Sequence, residues 1–222
     1  IRHQTMDGIG GALTWYSSRM LSLPATKRDE VEQMIFDDLG LDIIRLKNWY
    51  FPADYPTNKS PSNIPGSVRT NHNNNKTFYD MAKKNGRDIS VLLSSWSPPA
   101  SLKTNNDLQN GGTLKKVNNQ YVYADLAQYW VDLLDNTTWV PDYLSFQNEP
   151  GWVAAHETCE FAPTQTTALA GYAEALDAIY NRIKNRSTVP ILIGSEAENM
   201  NAFLQDVVPL RTRPHVGIYA YH

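Results

Sequence analysis

Tyr143-Leu144-Ser145-Phe146-Gln147-Asn148-Glu149-Pro150 reads as a short buried strand. Its apolar residues alternate, a polar pair closes it, and a proline follows that cannot continue a ladder. An amide and a carboxylic acid therefore sit side by side where the strand runs out. In a parallel α/β barrel the carboxyl ends of the strands form the floor of the active site, so Glu149 would point into a cleft with Asn148 beside it. A carboxyl able to protonate a glycosidic oxygen, next to an amide able to bind a sugar hydroxyl, is a glycosidase arrangement. A strand-end carboxylate that caps the next helix accounts for the same two residues, so the flanking sequence has to decide.

On both sides of this stretch, strands and helices alternate. Upstream, residues 41–46 and 89–93 read as apolar strands, and a first strand around Met6-Asp7-Gly8-Ile9-Gly10-Gly11 leads into glycines, the sign of a bulge or of closely approaching backbone. A helix from Thr26 is expected to turn Val31, Met34, Ile35 and Leu39 to one face and to end at Gly40 in a left-handed cap. Residues 58–75 and 105–119 read as long polar loops, with a short helix carrying Phe78, Met81 and Ala82 inward between them. Leu126, Tyr129, Trp130, Leu133 and Leu134 keep helical spacing before the Glu149 strand, as do Leu169, Tyr172, Leu176, Ile179, Tyr180 and Ile183 after it. A fifth strand at residues 190–193 closes on Gly194-Ser195-Glu196, and residues 216–222 form a sixth. This order argues for parallel βα units and against a sandwich or a bundle. It collects Asp7, Asn48, Trp49, Trp96, Asn148, Glu149 and Glu196 just after the strands, on one rim of a barrel. Arg45, late in the second strand, is expected to find a carboxylate partner because an unpaired arginine is expensive to bury.

The totals exclude several classes. A chain of 222 residues that is 41% hydrophobic can bury one substantial core, and no composition shift marks a second domain. A net charge of -3 gives no reason to expect nucleic acid or an anionic membrane as partner, and no apolar run is long enough to span a bilayer. Cys159 is the single cysteine, so neither a disulfide framework nor a cysteine-rich zinc site is available. His156-Glu157 lacks a second histidine at a helical interval, and no metal or cofactor is expected. Glycosylation sequons at Asn58, Asn75, Asn136 and Asn185, each read as surface, suit a secreted glycoprotein.

Gly8-Ile9-Gly10-Gly11, Trp96-Ser97-Pro98-Pro99 with Leu102-Lys103, Gly111-Gly112-Thr113-Leu114 and Gln147-Asn148-Glu149-Pro150 occur in an order and spacing that resembles glycoside hydrolase family 30. The resemblance covers nearly the whole chain. It implies a retaining glycosidase on a (β/α)8 TIM barrel with an attached β domain. Glu149 matches the acid/base, Asn148 the neighbouring substrate-binding amide, and Arg45 and Trp96 strand-end site residues. Asn48, Trp49, Trp152, Glu196, Tyr221 and His222 complete the set expected to bind substrate, the last two opening what looks like the family's sixth-strand His-Leu-Tyr element. The family's nucleophile follows a seventh strand, which this sequence does not contain; Glu196 falls on the fifth strand, as a site-lining or structural acid. The segment 152–163, with its Glu157-Thr158-Cys159 core, is similar to xylan-directed members, which implies β-1,4-xylan or glucuronoxylan as the polysaccharide. Endo-β-1,6-glucan and glucosylceramide are the family alternatives. An acidic side sugar would need a cation such as Arg45 or Lys47. A carbohydrate-binding pseudoenzyme, or an inactive piece of a longer protein, is the rival from another class. Six strands would leave two edges unpaired. Residues 1–222 are therefore expected to be strands one to six of the barrel, with the remaining units and the β domain elsewhere in a longer enzyme or on a second polypeptide.

Overall fold

Glycine at position 10 lets the first strand lie against the second: a Cβ there would meet the Ile43 carbonyl at 2.9 Å. The computed structural model describes residue 6, residues 8–15 and residues 17–222, and Asp7 lies outside the described residues. Six strands, β1 (Gly10–Ala12), β2 (Ile43–Lys47), β3 (Ser90–Ser94), β4 (Tyr143–Ser145), β5 (Ile191–Ala197) and β6 (Val216–Tyr221), pair in sequence order. Every pairing is parallel. Helices α1 (Ser17–Leu21), α2 (Ala25–Gln33), α3 (Gly66–Lys83), α4 (Tyr123–Asn136), α5 (Tyr172–Ile183) and α6 (Met200–Leu210) are threaded between them. The result is the consecutive-strand βα arc of a TIM barrel, with β1 and β6 at its two edges.

The core lies between sheet and helices. Ile44, Leu46, Val91, Leu93, Leu144 and Leu192 meet Phe78, Leu126, Trp130, Leu133, Leu176 and Ile179 there. Helices α4 and α5 form as their periodicity dictates, and Leu126, Tyr129, Trp130, Leu133 and Leu134 are all buried. Leu169 precedes α5 and Tyr180 is half-buried, so the inward face of that helix is carried by Tyr172, Leu176, Ile179 and Ile183.

Three expectations are corrected. The helix after Thr26 leaves the α pattern at Met34–Asp38, where a π turn closes with Leu39 N–H donating to the Met34 carbonyl. The extra residue in that turn rotates the face, so Phe36 is buried while Met34 and Leu39 are exposed. Gly40 nevertheless ends the helix at φ +60°, in the left-handed region. Residues 58–75 are not a long loop, since α3 begins at Gly66 behind Pro65. Its asparagines mask a helix whose buried positions include Asn75, and the Asn75 amide donates to the Lys47 carbonyl at 2.8 Å. That buried amide has no room for a glycan, whereas Asn58 and Asn185 are exposed and Asn136 half-buried. Within residues 105–119 and just beyond, Lys116–Val117 and Gln120–Tyr121 form a two-stranded ribbon. Asn118 and Asn119 turn it at φ 50° and 63°, a pair of left-handed positions that asparagine tolerates.

Candidate active site

The carboxyl ends of β2, β3, β4 and β5 carry buried polar residues where the strands would otherwise continue apolar: Lys47, Asn48, Ser94, Ser95, Ser145, Gln147, Asn148, Ser195 and Glu196. Arg45 organises them. Its Nη2 lies 2.7 Å from Glu196 Oε1 and donates to Asn148 Oδ1 at 2.6 Å, while its Nε donates to Ser94 Oγ at 3.1 Å. Ser94 Oγ in turn donates to Glu196 Oε1 at 3.2 Å. The expected carboxylate partner of Arg45 is thus Glu196, which is only 3% exposed and lies within β5 because that strand runs beyond residue 193.

Glu149 leaves β4 in the left-handed region, at φ 47°. For a side chain other than glycine this is a strained conformation of the kind that persists where surrounding contacts fix it, often at functional sites. Its N–H donates to the Glu196 carbonyl at 2.9 Å, and its own carbonyl accepts from Trp152 N–H at 2.9 Å across a turn with Pro150 in second place. The Glu149 side chain, 24% exposed, accepts from or donates to His222 Nδ1 at 2.8 Å through Oε1. His222 Nε2 lies 4.0 Å from Glu196 Oε1. One imidazole therefore stands between two carboxylates from neighbouring strands.

Glu196 and, more closely, Glu149 hold the His222 pKa above its usual 6.5, against the opposing effects of burial and of Arg45. A raised value means that the folded state binds this proton more tightly than the unfolded chain does. The stabilisation is fully present below about pH 6.5 and is lost as pH rises through the folded pKa. His222→Gln is expected to flatten that decline when melting temperature is followed from about pH 5 to 8. An unchanged slope would show that the imidazole gains nothing from the two glutamates.

The other expected site residues divide. Trp96 is buried with its ring 4.7 Å from the Arg45 guanidinium, inside the group. Asn48 follows β2 as expected but is 1% exposed and fully committed. Its Nδ2 donates to Ser95 Oγ and Tyr129 O–H, and its Oδ1 accepts from Tyr50 N–H. It braces α4 against the strand ends and offers no donor to a ligand. Trp49 is buried with its face on the Lys47 ammonium. Trp152 closes the Glu149 turn through its backbone N–H, but the residue is 49% exposed and its ring is in none of the side-chain contacts described above. Tyr221 points the other way: alternation along β6 sends it to the helix side, where it meets Phe203 at 5.2 Å.

Lys47 is also withdrawn from substrate. Buried beneath tryptophans and 3.1 Å from Glu157, it cannot pair an acidic side sugar, and burial brings its pKa down to about 8 against the pull of Glu157. Lys103, buried as well, donates to the Leu108 and Thr158 carbonyls and so clamps the loop after β4 to the loop after β3. Cys159, in that clamp, is fully buried, and desolvation raises its thiol pKa to about 12. No group of three metal-ligating side chains is present among the described residues, nor does any described helix have the length and apolarity to cross a membrane. A cavity of about 450 Å³ reaches Trp15, Arg45 and Trp96, but apart from Thr14 and Ser17 its other walls are apolar residues such as Met20, Val31, Ile35 and Phe78, and Glu149 is not among them.

Carboxylates and an amide gathered on the carboxyl rim of a parallel βα barrel are an arrangement that glycoside hydrolases use. Residues 6–167 match the model of the Glycosyl hydrolase family 30 TIM-barrel domain. The chain belongs to that family. Solved structures share the fold. The catalytic domain of GH30 xylanase C from Talaromyces cellulolyticus superposes with a TM-score of 0.74 at 19% identity, over 99% of this chain and 53% of that one. The GH30 subfamily 8 xylanase Xyn30A from Clostridium acetobutylicum gives 0.66 at 23%, over 100% and 50%. The endo-beta1,6-glucanase BT3312 gives 0.71 at 18%, over 99% and 52%. The chain thus spans about half the length of these proteins.

Proposed function

We propose that this chain carries the acid/base part of a retaining glycoside hydrolase, with Glu149 protonating the departing glycosidic oxygen and then activating the water that releases the sugar. The observation that carries this is the setting of Glu149: a strained strand-end carboxyl, partly open to solvent, backed by Glu196 and His222 and adjacent to Asn148. Asn148 is fixed by Arg45 on its oxygen, which leaves its amide hydrogens to face a sugar hydroxyl. His222 steadies the Glu149 carboxyl between its two proton-transfer steps.

Glu196 is a poor nucleophile. Its Oε1 is held by Arg45 and Ser94, and the side chain is almost wholly buried. The nucleophile of a retaining glycosidase is a second carboxylate, free to attack the anomeric carbon, about 5 to 5.5 Å from the acid/base carboxyl. The reading therefore places the nucleophile outside these 222 residues, with further barrel units and a β domain supplied by following sequence or by a second polypeptide. The span of about half the length of the matched structures supports this.

For substrate we favour β-1,4-xylan or glucuronoxylan, in keeping with the two xylanases among the fold relatives. A polymeric substrate goes with a secreted enzyme. The glucanase relative makes β-1,6-glucan the alternative to be tested beside it. Incubating the complete protein with xylan, glucuronoxylan, β-1,6-glucan and glucosylceramide, and sizing the products, is expected to release xylo-oligosaccharides. Products from another member of the panel alone would replace the substrate. Binding to xylan with no new reducing ends would replace the enzyme with a carbohydrate-binding protein.

A further inference from the structure

Along a regular strand, successive side chains alternate between the two faces of the sheet. β5 begins that way. Leu192 joins the core between sheet and helices, and a Cβ at Gly194 would meet Val216 and Leu210 on that same face. By alternation Ser195 should then face the barrel interior and Glu196 the helices. The structure has them the other way round: Ser195 turns to α6, and Glu196 turns inward to Arg45 at 2.7 Å. The exchange happens at Ser195, which stands in the left-handed region at φ 57°, and the pairing of β5 with β6 shifts register between Gly194 and Ala197. A bulge of this kind re-aims the side chain that follows it.

Asp206 grips the bulge from the helix side. The buried positions of α6 are Asp206 and Leu210, one turn apart on the face toward β5. An acid there is costly to bury where an apolar residue would pack without penalty. Burial, helped by Glu198 and opposed by the bond from Ser195, lifts the Asp206 pKa above its usual range. What the carboxyl supplies is an acceptor: Ser195 Oγ donates to its Oδ2 at 2.7 Å, between residues 0% and 7% exposed. A left-handed serine is strained and persists where its contacts fix it. Both partners are already enclosed, so chain packed against the edge strands leaves this contact as it is.

The setting of Glu149 hangs on the same bulge. The Glu196 carboxylate holds Arg45, whose Nη2 donates to Asn148 Oδ1 at 2.6 Å. The Glu196 carbonyl accepts from Glu149 N–H at 2.9 Å, and the Ala197 carbonyl accepts from His222 N–H at 2.8 Å. With Ser195 in a regular extended conformation, the Glu196 side chain would turn toward α6 and these carbonyls would rotate with it.

We propose that Asp206 is a positioning residue for the acid/base: through Ser195 it holds the left-handed bulge in β5 that aims Glu196 at Arg45 and places the carbonyl on which the Glu149 N–H rests. The proposal rests on the reading of Glu149 given above and deepens it.

Kinetics of the complete protein on soluble β-1,4-xylan, with β-1,6-glucan in parallel, test it. Asp206→Ala is expected to lower kcat about tenfold to a hundredfold, the scale of a small misplacement at a catalytic group, with KM within about twofold of the parent. Asp206→Asn keeps an acceptor for the Ser195 hydroxyl and is expected to stay within about threefold of the parent. Because the effect runs through Glu149, Asp206→Ala is expected to cost less than about twofold in a Glu149→Gln background. Glycine adopts a left-handed φ freely, so Ser195→Gly is expected to keep more activity than Ser195→Ala, the reverse of the order that lost packing gives. That pair carries the test should Asp206→Ala not fold. A kcat for Asp206→Ala within about twofold of the parent overturns the proposal, as does an undiminished loss in the Glu149→Gln background or a Ser195→Gly protein no better than Ser195→Ala. A parent that cleaves neither glycan, or a Glu149→Gln protein as active as the parent, defeats the acid/base reading separately. The role of Asp206 is then read from crystal structures of Asp206→Ala or, failing that, Ser195→Ala. Residue 195 must leave the left-handed region and Glu196 must release Arg45; a pair still at 2.7 Å overturns the positioning role.

Discussion

Glu149→Gln is expected to lower hydrolysis of substrates with poor leaving groups by roughly two to four orders of magnitude, the usual contribution of a positioned general acid. The amide keeps the shape of the carboxyl and can keep the contact with His222 Nδ1 seen at 2.8 Å, so the loss isolates proton transfer. The size of the effect should depend on the leaving group. A departing dinitrophenolate needs no proton, so formation of the glycosyl-enzyme should be spared with that substrate, and the slow step should shift to release of the intermediate, where Glu149 acts as base. In Glu149→Ala, azide fits the space left by the carboxyl and attacks the intermediate without needing a base. Added azide should therefore restore turnover and give a glycosyl azide. The complete protein is the material for this test, with polymeric xylan and an activated aryl glycoside measured side by side. Hydrolysis of xylan by Glu149→Gln at the parent rate would remove Glu149 from the mechanism.

The barrel was legible in the sequence because its elements are set by local pattern. α4 and α5 display one apolar face each, and the strand before Asn148-Glu149 is bounded by residues that cannot extend it. Composition misled where it opposed pattern. The asparagines of residues 71–75 suggest a loop, but Pro65 starts a helix that Phe78, Met81 and Ala82 anchor three turns later, and tertiary burial overrides the weak helix propensity of asparagine. The π turn at Met34–Asp38 has no counterpart in a strict three-and-four reading, which points to Met34 and Leu39 in place of Phe36. At the site, strand ends identified which residues approach one another, but not how they divide the work. That Asn48 is spent on Ser95 and Tyr129, or that Tyr221 faces Phe203, follows from contacts between residues 18 to 81 positions apart. Lys47 shows the same limit. As a residue type it suggests a surface cation, and only the placement of Trp15 and Glu157 around it shows that it is enclosed.

The second large effect is on stability. Arg45→Met is expected to cost about 3 to 5 kcal/mol, the range seen when one partner of a buried ion pair is removed and the other is left behind. Glu196 is the group left behind, and among the described residues its Oε1 would keep Ser94 Oγ and the distant His222 Nε2. Its Oε2 is already buried with no hydrogen-bond partner among the described residues, so little there offsets the loss. Asn148 and Ser94 would each lose a donor in the same step. For a chain of this length the cost corresponds to a fall in melting temperature on the order of 10 °C. Arg45→Lys should recover only part of it, because one ammonium cannot reproduce a planar fork reaching Ser94, Asn148 and Glu196 together. The decisive comparison is the double variant Arg45→Met with Glu196→Gln. If the penalty comes from an uncompensated buried carboxylate, the neutral amide should restore most of the lost stability, and the coupling between the two positions should be large. If both single variants melt within about 2 °C of the parent, the pair is not what holds the strand ends together. If the double variant is no better than Arg45→Met, the loss belongs to packing of the arginine against Trp96, where its guanidinium sits 4.7 Å from the ring, and not to the charge it neutralises.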